Sequence, residues 1–200
     1  MAVVWLPVDE KLLGAARGFA AASWRRADLD AAWVNAGWYV PPSGSVAADV
    51  FDGLEQRQWT GDRLVSIGLN ADATSIVAVT VEFAYFAEDE EEEPVITEER
   101  LSAGWSALPH GTRADFDAVW RTAAGTVAEA LGPPEVSGTH HDEWHHAIWR
   151  AGDTLIAVVQ GENIDTYGCW DEAALWLVPH PASEPVLSGP ALYDVMWGRP

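Results

Sequence analysis

Basic residues are scarce in this sequence, and lysine is almost missing. Eleven Lys and Arg residues stand against 31 Asp and Glu residues over 200 positions, a net charge of −20, and Lys11 is the only lysine. Nucleic acids and anionic membranes are bound through basic patches, so this balance excludes a generic affinity for either one. The charge indicates a cationic partner, or it serves solubility alone.

The sequence also has almost no cysteine and no long apolar run. The single cysteine, Cys169, excludes an internal disulfide and has no metal-ligand spacing around it. No segment reaches the roughly 20 apolar residues that cross a bilayer. Residues 1–6 have neither the basic region nor the apolar length of a secretory signal. We therefore expect a cytoplasmic location, and the 48% hydrophobic content predicts a folded chain.

Six consecutive acids, closed by Pro94, form the densest charge in the chain. Such a run repels itself and usually stays solvated, although acidic runs also serve as interaction segments. Trp38 and Trp105 lie near predicted loops, where an exposed aromatic ring beside acids makes a good contact for a basic partner. The predicted partner-binding residues are these two tryptophans and the run itself, Glu88, Asp89, Glu90, Glu91, Glu92 and Glu93.

Two stretches of the sequence recur at nearly equal distances. RADLDAAW at 26–33 matches RADFDAVW at 113–120 in six of eight positions, and GDRLVSI at 61–67 parallels GDTLIAV at 152–158. Collinear matches at offsets of 87 and 91 residues indicate an internal duplication. The predicted repeats are residues 1–100, which include the acidic loop 88–93, and residues 101–200, packed together as one body.

Each half has the pattern of a helix followed by an antiparallel β-meander, which predicts the α+β class. Apolar residues at helical spacing cover three segments, with Asp28 and Asp115 expected as N-terminal caps of the second and third. Strand patterns bounded by turn residues cover six more segments. The predicted helices are 9–24, 28–36 and 115–131, and the predicted strands are 50–59, 63–69, 75–86, 144–150, 154–160 and 167–178.

Four histidines cluster in THHDEWHH at 139–146. Zinc needs three or four ligands that converge at about 2.0–2.3 Å. We expect a strand here, which places His141 and His145 on one face and His140 and His146 on the other. The spacing also differs from the HExxH pattern of metalloproteases. No structural zinc and no cofactor are therefore expected, and a metal site at the four histidines is the alternative.

Nucleophile and phosphate-binding motifs are missing. No serine stands in a G-x-S-x-G setting, and no glycine-rich phosphate loop occurs. Cys169 lies between Gly168 and Trp170 on an apparent strand, where a buried and inert thiol is expected. No catalytic residue is predicted.

A family resemblance rests on three short features. A helix ends near Gly37-Trp38, LGPP stands at 131–134, and a tryptophan-bearing strand precedes GDTLIAV at 152–158. With this layout the chain resembles small, uncharacterised actinobacterial proteins of the toxin-immunity type. The resemblance implies a non-enzymatic binding protein, and the scarcity of lysine beside ten arginines is typical of a high-GC genome.

Three functions are compatible with these observations. The first is an immunity or inhibitor protein that neutralises a basic effector such as a nuclease toxin, because opposite charge speeds association. The second is a chaperone or adaptor for secretion. The third is a small-ligand or metal-dependent enzyme with its site between the repeats. In the first case the partner is a basic protein, and the chain itself is a monomer or a homodimer.

Overall fold

The computed structural model describes residues 1–53, 56–70, 72–88, 95–163 and 170–196. Within these ranges helices and antiparallel strands are mixed, which confirms the α+β class. The strands are β1 (Ala2–Trp5), β2 (Arg57–Trp59), β3 (Leu64–Leu69), β4 (Ile76–Ala87), β5 (Ser106–Pro109), β6 (Val136–His140), β7 (Trp144–Ala151), β8 (Thr154–Glu162) and β9 (Trp170–Pro179). The helices are α1 (Glu10–Ala20), α2 (Arg26–Asn35), α3 (Val46–Phe51), α4 (Glu98–Ser102), α5 (Arg113–Leu131) and α6 (Gly189–Met196).

All nine strands belong to one antiparallel sheet. Its main path runs β2-β3-β4-β9-β8-β7-β6, and β1 lies between β4 and β5 beside the far end of β4. The central strand β4 is twelve residues long, buried along almost its whole length, and pairs with β3, β1 and β9. Both halves of the chain therefore contribute to a single sheet.

The two faces of the sheet are covered by different elements. Because successive strand residues point to opposite sides, β8 sends Ile156 and Val158 to one core and Leu155, Ala157 and Val159 to another. The first core is closed by α1, α2, α3 and α5. The second core is closed by α6, and we call this side the groove face because it also carries the groove described below.

Helix α1 begins and packs as its sequence predicts. The Asp9 side chain accepts a hydrogen bond from the Leu12 N–H at 2.9 Å, which satisfies one of the free donors of the first turn. Leu13, Ala16 and Phe19 then bury the predicted apolar face. The helix ends at Ala20, four residues before the predicted end.

The predicted caps of the other two helices need correction. Helix α2 begins at Arg26, after Arg25, which makes no side-chain capping bond, so Asp28 lies in the first turn and is not the cap. Helix α5 is capped by Thr112, and Asp115 is the third residue of a capping box in which each side chain bonds the other's backbone N–H. The sequence pattern correctly indicated that Asp115 stabilises the start of α5, but the cap residue is Thr112, whose hydroxyl lies three residues earlier in the chain.

The strand predicted over 50–59 is also wrong in its first part. Residues Val46–Phe51 form α3, and among the described residues of 50–59 the strand is limited to Arg57–Trp59. Ser45 accepts a hydrogen bond from the Ala48 N–H, and the Asp30 carboxylate accepts from the Ala47 N–H. These capping bonds favour a helix over the β-propensity of Val46 and Val50.

The matched segments adopt similar local structures in different surroundings. Residues 26–33 and 113–120 both lie in helices, and the other pair of matches leads into β3 and β8. However, α2 packs against α1 and α3, whereas α5 packs against β4 and β8. The structure does not confirm the duplication, which stays a prediction together with its boundary at residue 100.

Candidate functional site

A groove of about 260 Å³ opens on the groove face, on the part of the sheet built by β3 and β4. The residues that pair between β3 and β4 on this face are short, so small side chains form the floor of the groove. Ser66 pairs with Thr80, and Gly68 pairs with Ala78. Gly161 of β8 extends the same floor. Short residues on neighbouring strands leave a depression in an otherwise packed sheet.

Larger side chains lie at the margins of this groove, which we call the acidic groove because Glu82, Glu162 and Glu172 line it. In one transverse row, Arg57 of β2 lies beside Ser66, and Trp176 of β9 lies beyond Thr80. Val195 of α6 closes the end next to the covered half of the groove face. The groove is therefore bounded by elements from both halves of the sequence.

The most buried charge in the groove is the carboxylate of Glu82, with only 2% of the residue exposed. It accepts a hydrogen bond from an Arg57 N–H at 3.0 Å and another from the Tyr85 hydroxyl. A buried carboxylate is tolerated only when it is paired and hydrogen-bonded. Arg57 therefore compensates Glu82 from a position that is one-third exposed.

Two further acidic residues line the groove near the end of β8. Glu162 is exposed, and Glu172 is half-buried and accepts a hydrogen bond of 2.6 Å from the Asn163 amide. Because Arg57 already compensates Glu82, the described lining keeps an excess of negative charge. Such an arrangement can bind an ammonium or guanidinium group that enters over the floor of small residues.

The volume limits what the groove can hold. Pockets for drug-sized ligands span about 300–1,000 Å³, so the groove falls below that range. Its dimensions suit one long side chain with its adjoining backbone. The hydroxyl groups of Ser66 and Thr80 on the floor can serve backbone groups of such a segment.

Sequence reasoning missed every residue of this groove. A signal was present, because Glu82 is the one charged residue inside the apolar stretch 76–87. A carboxylate in the middle of a central strand requires a cation nearby. The identity of that cation depends on the register of β2, which the sequence pattern did not give.

The predicted acidic run lies mostly outside the described residues. Glu88 follows the end of β4 and is exposed, whereas Asp89, Glu90, Glu91, Glu92 and Glu93 lie outside the described ranges. The structure places Glu88 at the opposite end of β4 from β3. Its proposed contact with a partner stays a prediction.

Trp38 and Trp105 were predicted as partner-binding residues, but both side chains are buried. Trp38 is 6% exposed and packs between Phe19 and Trp33, with ring centroids 5.2 and 4.6 Å away. Trp105 is 4% exposed, stacks on Tyr85 at 5.5 Å, and donates its indole N–H to the Asp62 carbonyl. Their large apolar surface is used for internal packing, so neither ring is presented to a partner in this structure.

The histidine segment is a hairpin and not the continuous strand that we expected. Strand β6 ends at His140, and residues 141–143 form a turn in which His141 and Asp142 have positive φ values of 52° and 62°. His140 and His146 project to the groove face beside α6, whereas His145 lies 5.0 Å from the Trp120 ring of α5 on the other side. Among the described residues, no group of three or more His, Cys, Asp or Glu side chains could hold a metal ion.

A second cavity of about 340 Å³ lies between the two halves of the chain. Its walls are apolar side chains of β1, β4 and α5, among them Val3, Phe83 and Val119. The few polar groups at this cavity are already engaged. Thr122 donates its hydroxyl to the Ala118 carbonyl, and Asp115 belongs to the capping box. Unlike the acidic groove, this cavity offers volume without directed polar groups.

Comparison with protein-family models, with curated proteins and with solved structures gives no match for the chain. Among the described helices, none is both long and apolar enough to cross a membrane. The chemistry of the acidic groove is therefore the feature of this chain that indicates a function.

Proposed function

We propose that this protein is a non-enzymatic binding protein that captures a basic segment of a partner protein in the acidic groove. The observation that carries the proposal is the set of Glu82, Glu162 and Glu172 around a floor of small residues, with Arg57 as the cation among the described lining. An arginine or lysine side chain of the partner lies on this floor and pairs with Glu172, whose side chain is on the groove face, while Glu162 at the end of β8 adds negative charge nearby. Its backbone reaches the hydroxyl groups of Ser66 and Thr80.

The charge of the whole molecule supports the same partner. A net charge of −20 attracts a basic protein over distances of about a Debye length and raises the rate of association. The groove then provides the short-range recognition that net charge alone lacks. An immunity or inhibitor protein acting on a basic effector, such as a toxin, is the role that combines these properties. A secretion chaperone or adaptor is the alternative with the same chemistry.

Isothermal titration calorimetry with a short peptide tests the groove. The probe is a capped peptide with two arginines, and its control carries citrulline, which has a similar shape and no charge, at the same positions. We expect the variant Glu162→Gln/Glu172→Gln to lose at least about tenfold in affinity, or 1.4 kcal/mol, because the charge-assisted contact with Glu172 and the nearby charge of Glu162 are both removed.

The matched control is Glu129→Gln/Glu135→Gln, which removes the same charge from exposed positions outside the groove. We expect this variant to bind almost as tightly as the parent at 0.15 M salt, because distant charges are screened. Equal losses in the two variants, or equal binding of the citrulline peptide, would contradict a specific groove. Capture of partners from native cells with the parent and the groove variant then identifies the protein that carries the basic segment.

The cavity between the halves favours a second candidate function, the binding of a small apolar ligand. We base this proposal only on the cavity volume of about 340 Å³ and on the apolar walls. A neutral fluorescent probe such as N-phenyl-1-naphthylamine should bind the parent, and Val119→Trp should abolish its signal by filling the cavity. An unchanged signal in this variant would exclude the cavity as the binding site.

A further inference from the structure

Helix α6 closes the covered half of the groove face with two fully buried side chains. Leu192 and Tyr193 lie in a core with Trp144, Ile148 and Trp176. The Tyr193 hydroxyl donates a hydrogen bond to the Gln160 carbonyl in β8. The helix is only eight residues long, so its position depends on these contacts and not on its own helical stability.

Two histidines of the β6–β7 hairpin lie directly under this helix. The His140 ring stacks on the Tyr193 ring, with a centroid distance of 4.4 Å and an angle of 14° between the planes. The His146 ring is 4% exposed and lies against Gly189 so closely that a Cβ at Gly189 would overlap the ring. Gly138 of β6 lies against the same ring. Both imidazoles are therefore part of the surface on which α6 packs.

The surroundings of His146 disfavour a positive charge. Its Nδ1 atom is buried and has no hydrogen-bond partner within the described part of the chain. The first residue of α6 touches the ring, and the N-terminal end of a helix carries partial positive charge. Burial lowers the pKa of His146, and the neighbouring His140 and His145 lower it further.

His140 experiences the same direction of shift. Burial is the main cause that lowers its pKa, and His141 adds to the effect, whereas Asp194 of α6 acts against both. The other titratable group of α6 that faces the hairpin is Tyr193, whose pKa is raised by burial and which is therefore neutral near pH 6. The pKa values of both histidines are therefore lowered while α6 is in place, which favours their neutral forms.

We propose that α6 is a pH-sensitive latch, held on the sheet while His140 and His146 are neutral and released when they are protonated under mildly acidic conditions. The released state exposes the rings to water, where a histidine protonates with a pKa of about 6.5. Because the pKa values are lower in the closed state, the latch has its full stability above pH 6.5 and loses it as the pH falls below that value. Release uncovers the apolar side chains of Trp144, Ile148 and Trp176.

Hydrogen–deuterium exchange at pH 7.5 and 5.5 tests the latch, with rates corrected for the intrinsic effect of pH. We expect the protection of residues 189–196 to fall by up to about tenfold per histidine at pH 5.5, the limit for a group that takes up its proton only after release. Residues 76–87 of β4 should keep their protection, since this central strand is held by its pairing with β3, β1 and β9. Unchanged protection of 189–196, or an equal fall in β4, would overturn the proposal.

Variants of the histidines distinguish the release of α6 from general unfolding of the protein in acid. His146→Phe keeps an aromatic ring and removes the titration, so the pH-dependent loss of protection should shrink by at least about threefold. His110→Asn, at an exposed position outside the hairpin, should behave as the parent does. If both variants behave alike, the histidine mechanism is wrong.

A second pair of variants tests the contact without any change of pH. Gly189→Ala introduces a methyl group against the His146 ring and should release α6 already at pH 7.5. The double variant Gly189→Ala/His146→Ala makes room for that methyl group and should restore at least part of the protection at 189–196. Full protection in the single variant, or no recovery in the double variant, would show that α6 is not held at this contact.

Discussion

At the residue scale, the pair formed by Arg57 and Glu82 contributes to stability as well as to the groove. We expect Arg57→Ala to lower the free energy of unfolding by about 3 kcal/mol, because it leaves the Glu82 carboxylate buried without this cation. The double variant Arg57→Ala/Glu82→Gln should recover part of the loss, since the buried charge is gone. Urea denaturation at pH 7 measures all three proteins.

The control for this pair is Arg26→Ala, which breaks the exposed ion pair with Asp52. Exposed pairs are hydrated with or without a partner, so its unfolding curve should overlay that of the parent. A loss in Arg57→Ala no larger than that in Arg26→Ala would contradict the argument. Recovery in the double variant is the stricter criterion, because lost packing of the arginine stem would not be recovered.

The cap of α5 gives a second prediction at this scale. Thr112→Ala should destabilise the protein by about 1 kcal/mol, whereas Asp28→Ala should change little, because Asp28 is not a cap. The hydrogen bond from the Thr112 hydroxyl is the main cause that lowers the pKa of Asp115. Stability from the ionised Asp115 is therefore present above its ordinary pKa of about 3.9 and is lost below it.

Thermal melting at pH 7 and pH 3 checks the capping box. The difference in melting temperature between parent and Thr112→Ala should be larger at pH 7, where Asp115 is ionised in both. An equal difference at the two pH values would show that the acid does not contribute through the box. A larger effect of Asp28→Ala than of Thr112→Ala would contradict the assignment of the cap.

At the scale of elements, the acidic run can be examined through association kinetics. Changing Glu90, Glu91, Glu92 and Glu93 to Gln should mainly slow association with a basic partner, because charges at the rim of an interface act on the on-rate. Surface plasmon resonance at two salt concentrations measures this rate. Salt-independent binding with an unchanged on-rate would mean that the run serves solubility alone.

Elements whose own sequence determines them were predicted well. The periodic apolar residues of α1 and α5 and the β-branched stretches of β3, β4 and β8 were found within a few residues of their bounds. The strands β1 and β5 were missed because they are only four residues long and pair with partners far away in the chain. Strand β6 was not predicted as a separate element, although its partner β7 follows it directly in a hairpin. Helix α3 was missed because its cap is completed by Asp30, which is remote in sequence.

The acidic groove was not predictable for a related reason. Its residues come from β2, β3, β4, β8, β9 and α6, and only the register of these strands brings Arg57 to Glu82. The histidine cluster was visible in the sequence, and His140 and His146 face one side and His145 the other as predicted, whereas the turn at 141–143 places the His141 ring beside His140. A shift of one residue in a strand reverses the face of every side chain, so such sites require the register.

At the scale of the whole molecule, the single sheet predicts that neither half folds alone. Fragments 1–100 and 101–200 would each lose the β4–β9 pairing and the β1–β5 pairing. We expect each fragment to lack the circular dichroism of native structure, and an equimolar mixture to regain part of it. A stable native-like fold in either fragment would support two independent repeats instead of one body.

The pairing of β1 has a consequence for the order of events on the ribosome. Val3 and Val4 lie between β4 and β5, and their partners in β5, Leu108 and Ala107, are synthesised about a hundred residues later. Until then, one edge of β1 is unpaired, and an unpaired edge is a template for pairing with other chains. The growing chain therefore carries an incomplete strand while about a hundred further residues are added, and the high negative charge disfavours association between neighbouring nascent chains during that interval.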